Sequence, residues 1–428
     1  MLKLVVLLLF STGQVNSFKV IEHRTLKRDI EHIIITPSGT PLAGSKISDF
    51  RLFACSDGKL IPIPFQVDER KNNRYLLPDG PEGERGNGIF DDQDELVFMV
   101  KDTGDRCRID AEGKWLEIEV IDPVDGGRGW VYLTFNKDLP LSEERYVWYY
   151  PEEDSVATGK YFLQFNREHP IFFDTLGIKE EAGGSGKNMI DRLKIRFYAR
   201  LTGGFISIHK NEEDFRTKLL AYHAGKVRLI RLTRNWQTLF WKIPTPAADI
   251  FTIFYDNSFE FPVVVDLPFD VGLFLKSTDF RVSIDMRKEA GRRLFYNSRN
   301  TVPVEINGVP SPEKEKLDRG PFEWMVNAGV DPFPAGWFNV LEWSAPGNPE
   351  IGIRLYFEDD VNKKDPPENQ PGEYGDLGYS IVGLEHVKKG KILIRSVMYW
   401  FEKFKPGDEK RFINVDKAPL RVRVSSIR

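Results

Sequence analysis

The strongest periodic signal along this chain is alternation. Leu116-Glu117-Ile118-Glu119-Val120, Arg281-Val282-Ser283-Ile284 and Leu420-Arg421-Val422-Arg423-Val424 set apolar and polar side chains on opposite faces. That period of two is the mark of half-buried strands. Turn formers punctuate the runs at Asp125-Gly126-Gly127, Gly203-Gly204, Asn307-Gly308 and Pro406-Gly407. Helical spacing is confined to short pieces, Glu212 to Tyr222 being one. Spaced strands without long helices between them predict a mainly β fold: two β-sandwich-like domains with few short helices, rather than βαβ units.

At 428 residues the chain exceeds one ordinary core. The polar, turn-rich stretch YPEEDSVATGK, Tyr150 to Lys160, follows the aromatic run Tyr146-Val147-Trp148-Tyr149-Tyr150 and suggests a boundary. The expected division is an N-terminal β domain over 18–150 and a larger C-terminal sandwich over 160–428. A second polar stretch, Glu358 to Gly378, reads as an insertion between strands.

The first seventeen residues have the form of a signal peptide. Lys3 supplies the positive end, Leu4 to Phe10 the apolar core, and Val15-Asn16-Ser17 the small-residue cleavage pattern. The apolar run is far shorter than the ~20 residues of a spanning helix. The expectation is therefore a secreted or periplasmic protein cleaved near Ser17, with no transmembrane segment in the mature chain. Hydrophobic residues at 41% and aromatics at 13% describe a well-cored globular protein. A net charge of −4 gives no electrostatic reason to bind nucleic acid. The only cysteines, Cys55 and Cys107, suggest a disulfide in an exported chain. Two cysteines supply no haem attachment, four-cysteine zinc site or iron–sulfur spacing.

One stretch, GNGIFDDQDELVFM from Gly86 to Met99, combines glycines, carboxylates and an apolar run. With Gly88 at the sixth place of a calcium loop, Asn87, Asp91 and Asp94 fall at donor places, and Asp79 lies upstream to complete the shell. A tight turn leading into a strand fits the same residues. Together with PIPFQVDE, Pro62 to Glu69, the stretch resembles a β-rich module of secreted bacterial proteins carrying an N-G-x-[FL]-D-x-x-D acidic loop. That resemblance covers about forty residues; it implies location and β structure, and no activity.

Catalytic motifs are wanting. EAGGSGKN, Glu181 to Asn188, lacks the first glycine and the final Ser or Thr of a Walker loop, so no nucleotide site is expected. The six histidines show no HExxH spacing. Two features point to ligands instead. Arg192, Lys194, Arg196 and Arg200 alternate with apolar residues, so one strand would carry a basic face fit for an acidic polysaccharide or for pairing with an acidic strand. GPFEWMVNAGVDPFPAGWFNVLEW, Gly320 to Trp343, sets Trp324 and Trp337 among glycines and prolines, as in loops whose aromatics stack on sugars. The leading expectation is an exported, non-catalytic binding or structural protein, stabilised by calcium if the acidic loop holds it. A carbohydrate-active enzyme (lyase or hydrolase) and a subunit of a cell-surface assembly are the rivals. The expected partners are accordingly a polysaccharide or a cell-surface protein.

Overall fold

The computed structural model describes residues 18–91, 93–237, 247–347 and 352–427. The signal-peptide segment lies outside them. Antiparallel strands dominate; two short α-helices, Pro312–Glu315 and Glu409–Lys417, occur among the described residues. None of the helices is long and apolar enough to cross a membrane.

The chain divides by contact into two units. The smaller takes the chain up to Asn73, Gly88–Glu144 and the segment from Ala418 onward; the larger takes Arg74–Asn87 and Arg145–Lys417. This differs from the division expected at 150–160. YPEEDSVATGK is not a linker: Val147–Tyr150 pairs with Ser155–Thr158 as a hairpin inside the larger unit. The final strand, Arg421–Ser426, pairs with Trp115–Ile121 and so belongs to the smaller unit, which sequence order could not reveal.

In the smaller unit a five-stranded sheet runs in the order Arg421–Ser426, Trp115–Ile121, Arg128–Thr134, Arg51–Ser56, Lys59–Pro62. A three-stranded sheet centred on Glu95–Met99 lies with it around one core, where Leu52, Leu116, Ile118, Val131, Leu96 and Phe98 are fully buried. The alternation Leu116-Ile118-Val120 turns inward as its period requires. A second cluster encloses the disulfide Cys55–Cys107 between Phe53, Trp115, Trp130 and Tyr132. The Tyr132 hydroxyl accepts from the Cys107 amide at 2.6 Å.

The larger unit is a sandwich. One sheet has five strands, in the order Ser207–Asn211, Ile190–Leu201, Leu275–Met286, Asp376–Val382, Gly352–Glu358. The facing sheet has nine, running from Phe215–Ala224 and Leu229–Gln237 at one edge to Val304–Ile306 at the other. Phe295 of the large sheet meets Phe357 of the small one at 5.0 Å between ring centroids.

Two local expectations change here. Glu212 to Tyr222 is a single 3₁₀ turn, Glu212–Asp214, followed by the strand Phe215–Ala224, because nine-residue pairing with Leu229–Gln237 outweighs weak helical spacing. The aromatic segment forms two paired strands, Trp324–Gly329 and Gly336–Ser344, rather than a binding loop. Trp337 is fully buried, edge-on to Trp400, and Trp324 stacks on Phe338 at 5.4 Å. Trp337 is core, with no face left for a sugar, and Trp324 is half-buried with one face covered by Phe338.

Candidate functional site

The basic strand does not present a face to solvent. Alternation aligns Arg192, Lys194 and Arg196 as expected, while Arg200 at the far end is exposed. The inserted segment between Glu358 and Asp376 then covers that face with acid. Lys194 is wholly buried, its Nζ 2.7 Å from Asp285 Oδ2, 3.0 Å from Glu373 Oε1 and 3.9 Å from both Asp376 and Glu368. Arg196 pairs with Glu212 and with Asp365, and donates to the Asp365 carbonyl at 2.7 Å. Arg281, on the next strand, pairs with Asp365 and lies 4.2 Å over the Tyr356 ring. An acidic polysaccharide therefore cannot reach Lys194 or Arg196; their charges are already met inside the protein.

Burial raises three acids of this cluster. It pushes Asp376 above the ordinary carboxylate range, and it pushes Asp285 and Glu373 up as well, with the Asp376 charge adding to both and Lys194 opposing. Asp365 ends low: desolvation raises it, but Arg281 and Arg196 together outweigh that. Among the described residues, Asp365, Glu373 and Asp376 are the group whose donor atoms come within 4.8 Å of one another as a metal would require.

The cluster ends at a cleft of about 700 Å³, and Arg192 and Glu212 belong to both. Three pieces of local structure build the cleft. First, the paired strands Phe215–Ala224 and Leu229–Gln237 place Arg216 opposite Trp236, with Lys218 two residues on along the same face. Arg216 and Lys218 are exposed, and the Lys218 ammonium lies 6.0 Å over the indole.

Second, the 3₁₀ turn is fixed by a capping box. Asn211 Oδ1 accepts from the Glu213 amide and Asp214 Oδ2 accepts from the Asn211 amide, both at 3.0 Å. This turns Glu212 inward to Arg192 Nη1 at 3.1 Å and leaves Glu213 exposed at the rim.

Third, Asn166 organises the opposite lip. Its Oδ1 accepts from the Glu168 and His169 amides, and its Nδ2 donates to Asp174 Oδ2 at 2.6 Å. Carboxylates from Glu168, Asp174 and Glu213 thus share one cleft with three cations, a histidine and an indole. Arg192 is held by Glu212 and by Asn369 Oδ1 at 3.0 Å, yet its buried Nε has no acceptor, and neither has the buried His169 Nδ1.

Of the residues expected to bind ligand, Arg192 alone lines this cleft. Sequence reading missed His169, Arg216, Lys218 and Trp236. The alternation of Arg216 and Lys218 was legible, but their meeting with Trp236 depends on strand register. The acidic loop is a hydrogen-bonded turn. Asp94 is buried, its Oδ1 accepting from the Arg70 amide at 2.7 Å and its Oδ2 from the Asp91 amide at 3.0 Å. Asp79 and Asn87 belong to the larger unit and Asp91 and Asp94 to the smaller; Asp92 lies outside the described residues.

No protein-family model and no curated protein matches this sequence. Among solved structures, the chain is similar to an alpha-mannosidase from Enterococcus faecalis V583, at 10% identity and a TM-score of 0.38, over 97% of this chain and 45% of that one. It is also similar to a protein in glycosyl hydrolase family 38 from Enterococcus faecalis, at 9% identity and a TM-score of 0.42, over 94% and 46%. The chain spans less than half the length of either.

Proposed function

We propose that this protein is carbohydrate-active and that its glycan lies in the cleft beside Trp236. The observation that carries the reading is the mixture on the cleft wall. Hydrogen-bond donors (Arg192, Arg216, Lys218) and acceptors (Glu168, Asp174, Glu213) stand together around one indole. A polyanion would be repelled by those carboxylates. A polyhydroxylated sugar needs donors and acceptors side by side, with an aromatic face for its C–H surface. Glycosidic bond cleavage uses paired carboxylates, and Glu168, Asp174 and Glu213 are the groups available for it. The disulfide supports an exported protein, since such bonds persist in oxidising compartments.

The test is a panel of neutral and acidic polysaccharides, read both for binding and for new reducing or unsaturated ends. Binding that falls at least tenfold in Trp236→Ala supports the cleft. Turnover that Glu168→Gln or Glu213→Gln abolishes would make the protein an enzyme, and binding without turnover a binding protein. Binding unaltered by Trp236→Ala with Arg216→Ala, or none to any glycan, overturns the proposal. Export is tested separately, by N-terminal sequencing of the secreted chain, with Phe18 expected first.

A further inference from the structure

The buried cluster behind the cleft has more negative charge than its own cations balance. Arg192, Lys194, Arg196 and Arg281 face Glu212, Asp285, Asp365, Glu368, Glu373 and Asp376 in a connected set of ion pairs, the exposed Glu213 aside. Four positive charges meet six negative ones, an excess of two in a place largely closed to water. Such an excess is relieved by taking up protons or by a cation.

The excess is localised. Asp376 is wholly buried, and neither of its carboxylate oxygens makes a hydrogen bond of good geometry, although the Ser283 hydroxyl stands near enough to help hold its charge. Lys194 forms an ion pair with Asp285 at 2.7 Å and hydrogen-bonds Glu373 at 3.0 Å, but stops 3.9 Å short of Asp376 Oδ2. Asp365 and Glu373 each have an oxygen within 4.8 Å of Asp376 and of each other, Glu373 being bonded as well by Lys194 and Asp365 paired with Arg196 and Arg281. Calcium takes oxygens at about 2.3–2.6 Å, so one ion can bridge oxygens up to about 5 Å apart, whereas magnesium at about 2.0–2.1 Å reaches little beyond 4 Å.

We propose that Asp365, Glu373 and Asp376 bind one divalent cation of the calcium type beside the Lys194 ammonium. The ion neutralises the two surplus charges and supplies the partner that the Asp376 oxygens lack. Its ligands lie on, or at the end of, the segment inserted between Gly352–Glu358 and Asp376–Val382, so binding ties that segment to the sheet. The same segment carries Asn369, which holds Arg192 at the cleft wall. The ion therefore braces the wall without touching the glycan, and the site stands whether or not the cleft takes sugar.

The experiment uses the full mature chain, stripped with chelator and then given calcium or magnesium. Native mass spectrometry should show one calcium retained per chain, and the melting temperature should rise with calcium and less with magnesium. Asp94→Ala, in the acidic turn of the smaller unit, should keep this response, and Asp376→Asn should lose it. Should Asp376→Asn fail to fold, terbium luminescence of the parent chain, excited through tyrosine and displaced by calcium at one equivalent, reads the same site. No retained ion with no calcium response in the parent overturns the proposal. So does a response lost in Asp94→Ala but kept in Asp376→Asn.

Discussion

Replacing Asp154 by asparagine tests whether the hairpin of YPEEDSVATGK anchors the larger unit. Arg231 is fully buried in the strand Leu229–Gln237, and its Nη2 meets the two Asp154 oxygens at 2.7 and 2.5 Å. The guanidinium also lies 3.5 Å over the Phe165 ring, while its Nε and Nη1 have no hydrogen-bond partner. Among the described residues no second carboxylate pairs with Arg231, so Asp154 carries the neutralisation. At an effective dielectric constant of about 20, unit charges this close attract by ~6 kcal/mol. Removing one member of a buried pair costs about 3–5 kcal/mol, because the other charge stays desolvated. Asp154 keeps some contact with water, its side chain being 13% exposed, which favours the lower end, about 3 kcal/mol. Asparagine is the clean substitution: Asp154 has φ 46°, a left-handed conformation asparagine tolerates, and the amide can still bond the Tyr149 hydroxyl. For a unit of this size about 3 kcal/mol lowers the melting temperature by about 5 °C. Calorimetry and urea unfolding at neutral pH measure it. Asp154→Ala should cost about 1 kcal/mol more, since alanine is strained at that φ. A loss under 1 kcal/mol in Asp154→Asn, or equal losses in the two variants, would refute the reasoning.

Three further outcomes are expected. Reduction of Cys55–Cys107, which closes a separation of 52 residues, should destabilise the smaller unit by ~4 kcal/mol in the chain-entropy account, with its calorimetric transition moving down; a transition that ignores reductant contradicts it. Asp249 is held below its usual range chiefly by hydrogen bonds from Arg234, against desolvation, with the Arg234 charge and Arg74 adding to the effect. A depressed folded-state value gives stability that is present above the unfolded value of 3.8 and lost as pH falls through the folded one; Asp249→Asn should flatten that part of an acid-unfolding curve between pH 5 and 2. At Gly378, in the interior strand Asp376–Val382, a Cβ would lie 2.1 Å from the Val282 carbonyl oxygen, so Gly378→Ala should cost about 2 kcal/mol in equilibrium unfolding, and an unchanged midpoint would deny the close approach.

Local pattern by itself determined a good deal of this protein. Strand alternation survives in the fold because one face of each strand must leave water: Leu116, Ile118 and Val120 are buried in the core that their period implied. The common face of Arg192, Lys194 and Arg196 was equally legible, since a strand imposes it on any sequence. What covers a face is not a local property. The acids that quench Lys194 come from residues 285, 368, 373 and 376, brought there by strand order, so a stripe that read as a binding surface is an internal charge cluster. The same holds for the tryptophans, whose glycine-rich surroundings suggested loops, whereas both lie on paired strands, Trp337 fully buried and Trp324 half-buried. Asp94 shows the limit from the other side: its residue type suits calcium, and only the folded chain shows that each of its oxygens accepts a backbone amide, one of them from the distant Arg70. Only tertiary structure set Trp236 opposite Arg216, closed the smaller unit with the last strand of the chain, and left Asp376 buried with the Lys194 ammonium 3.9 Å away. Each of these depends on register and chain crossing over long separations, which no window of neighbouring residues contains.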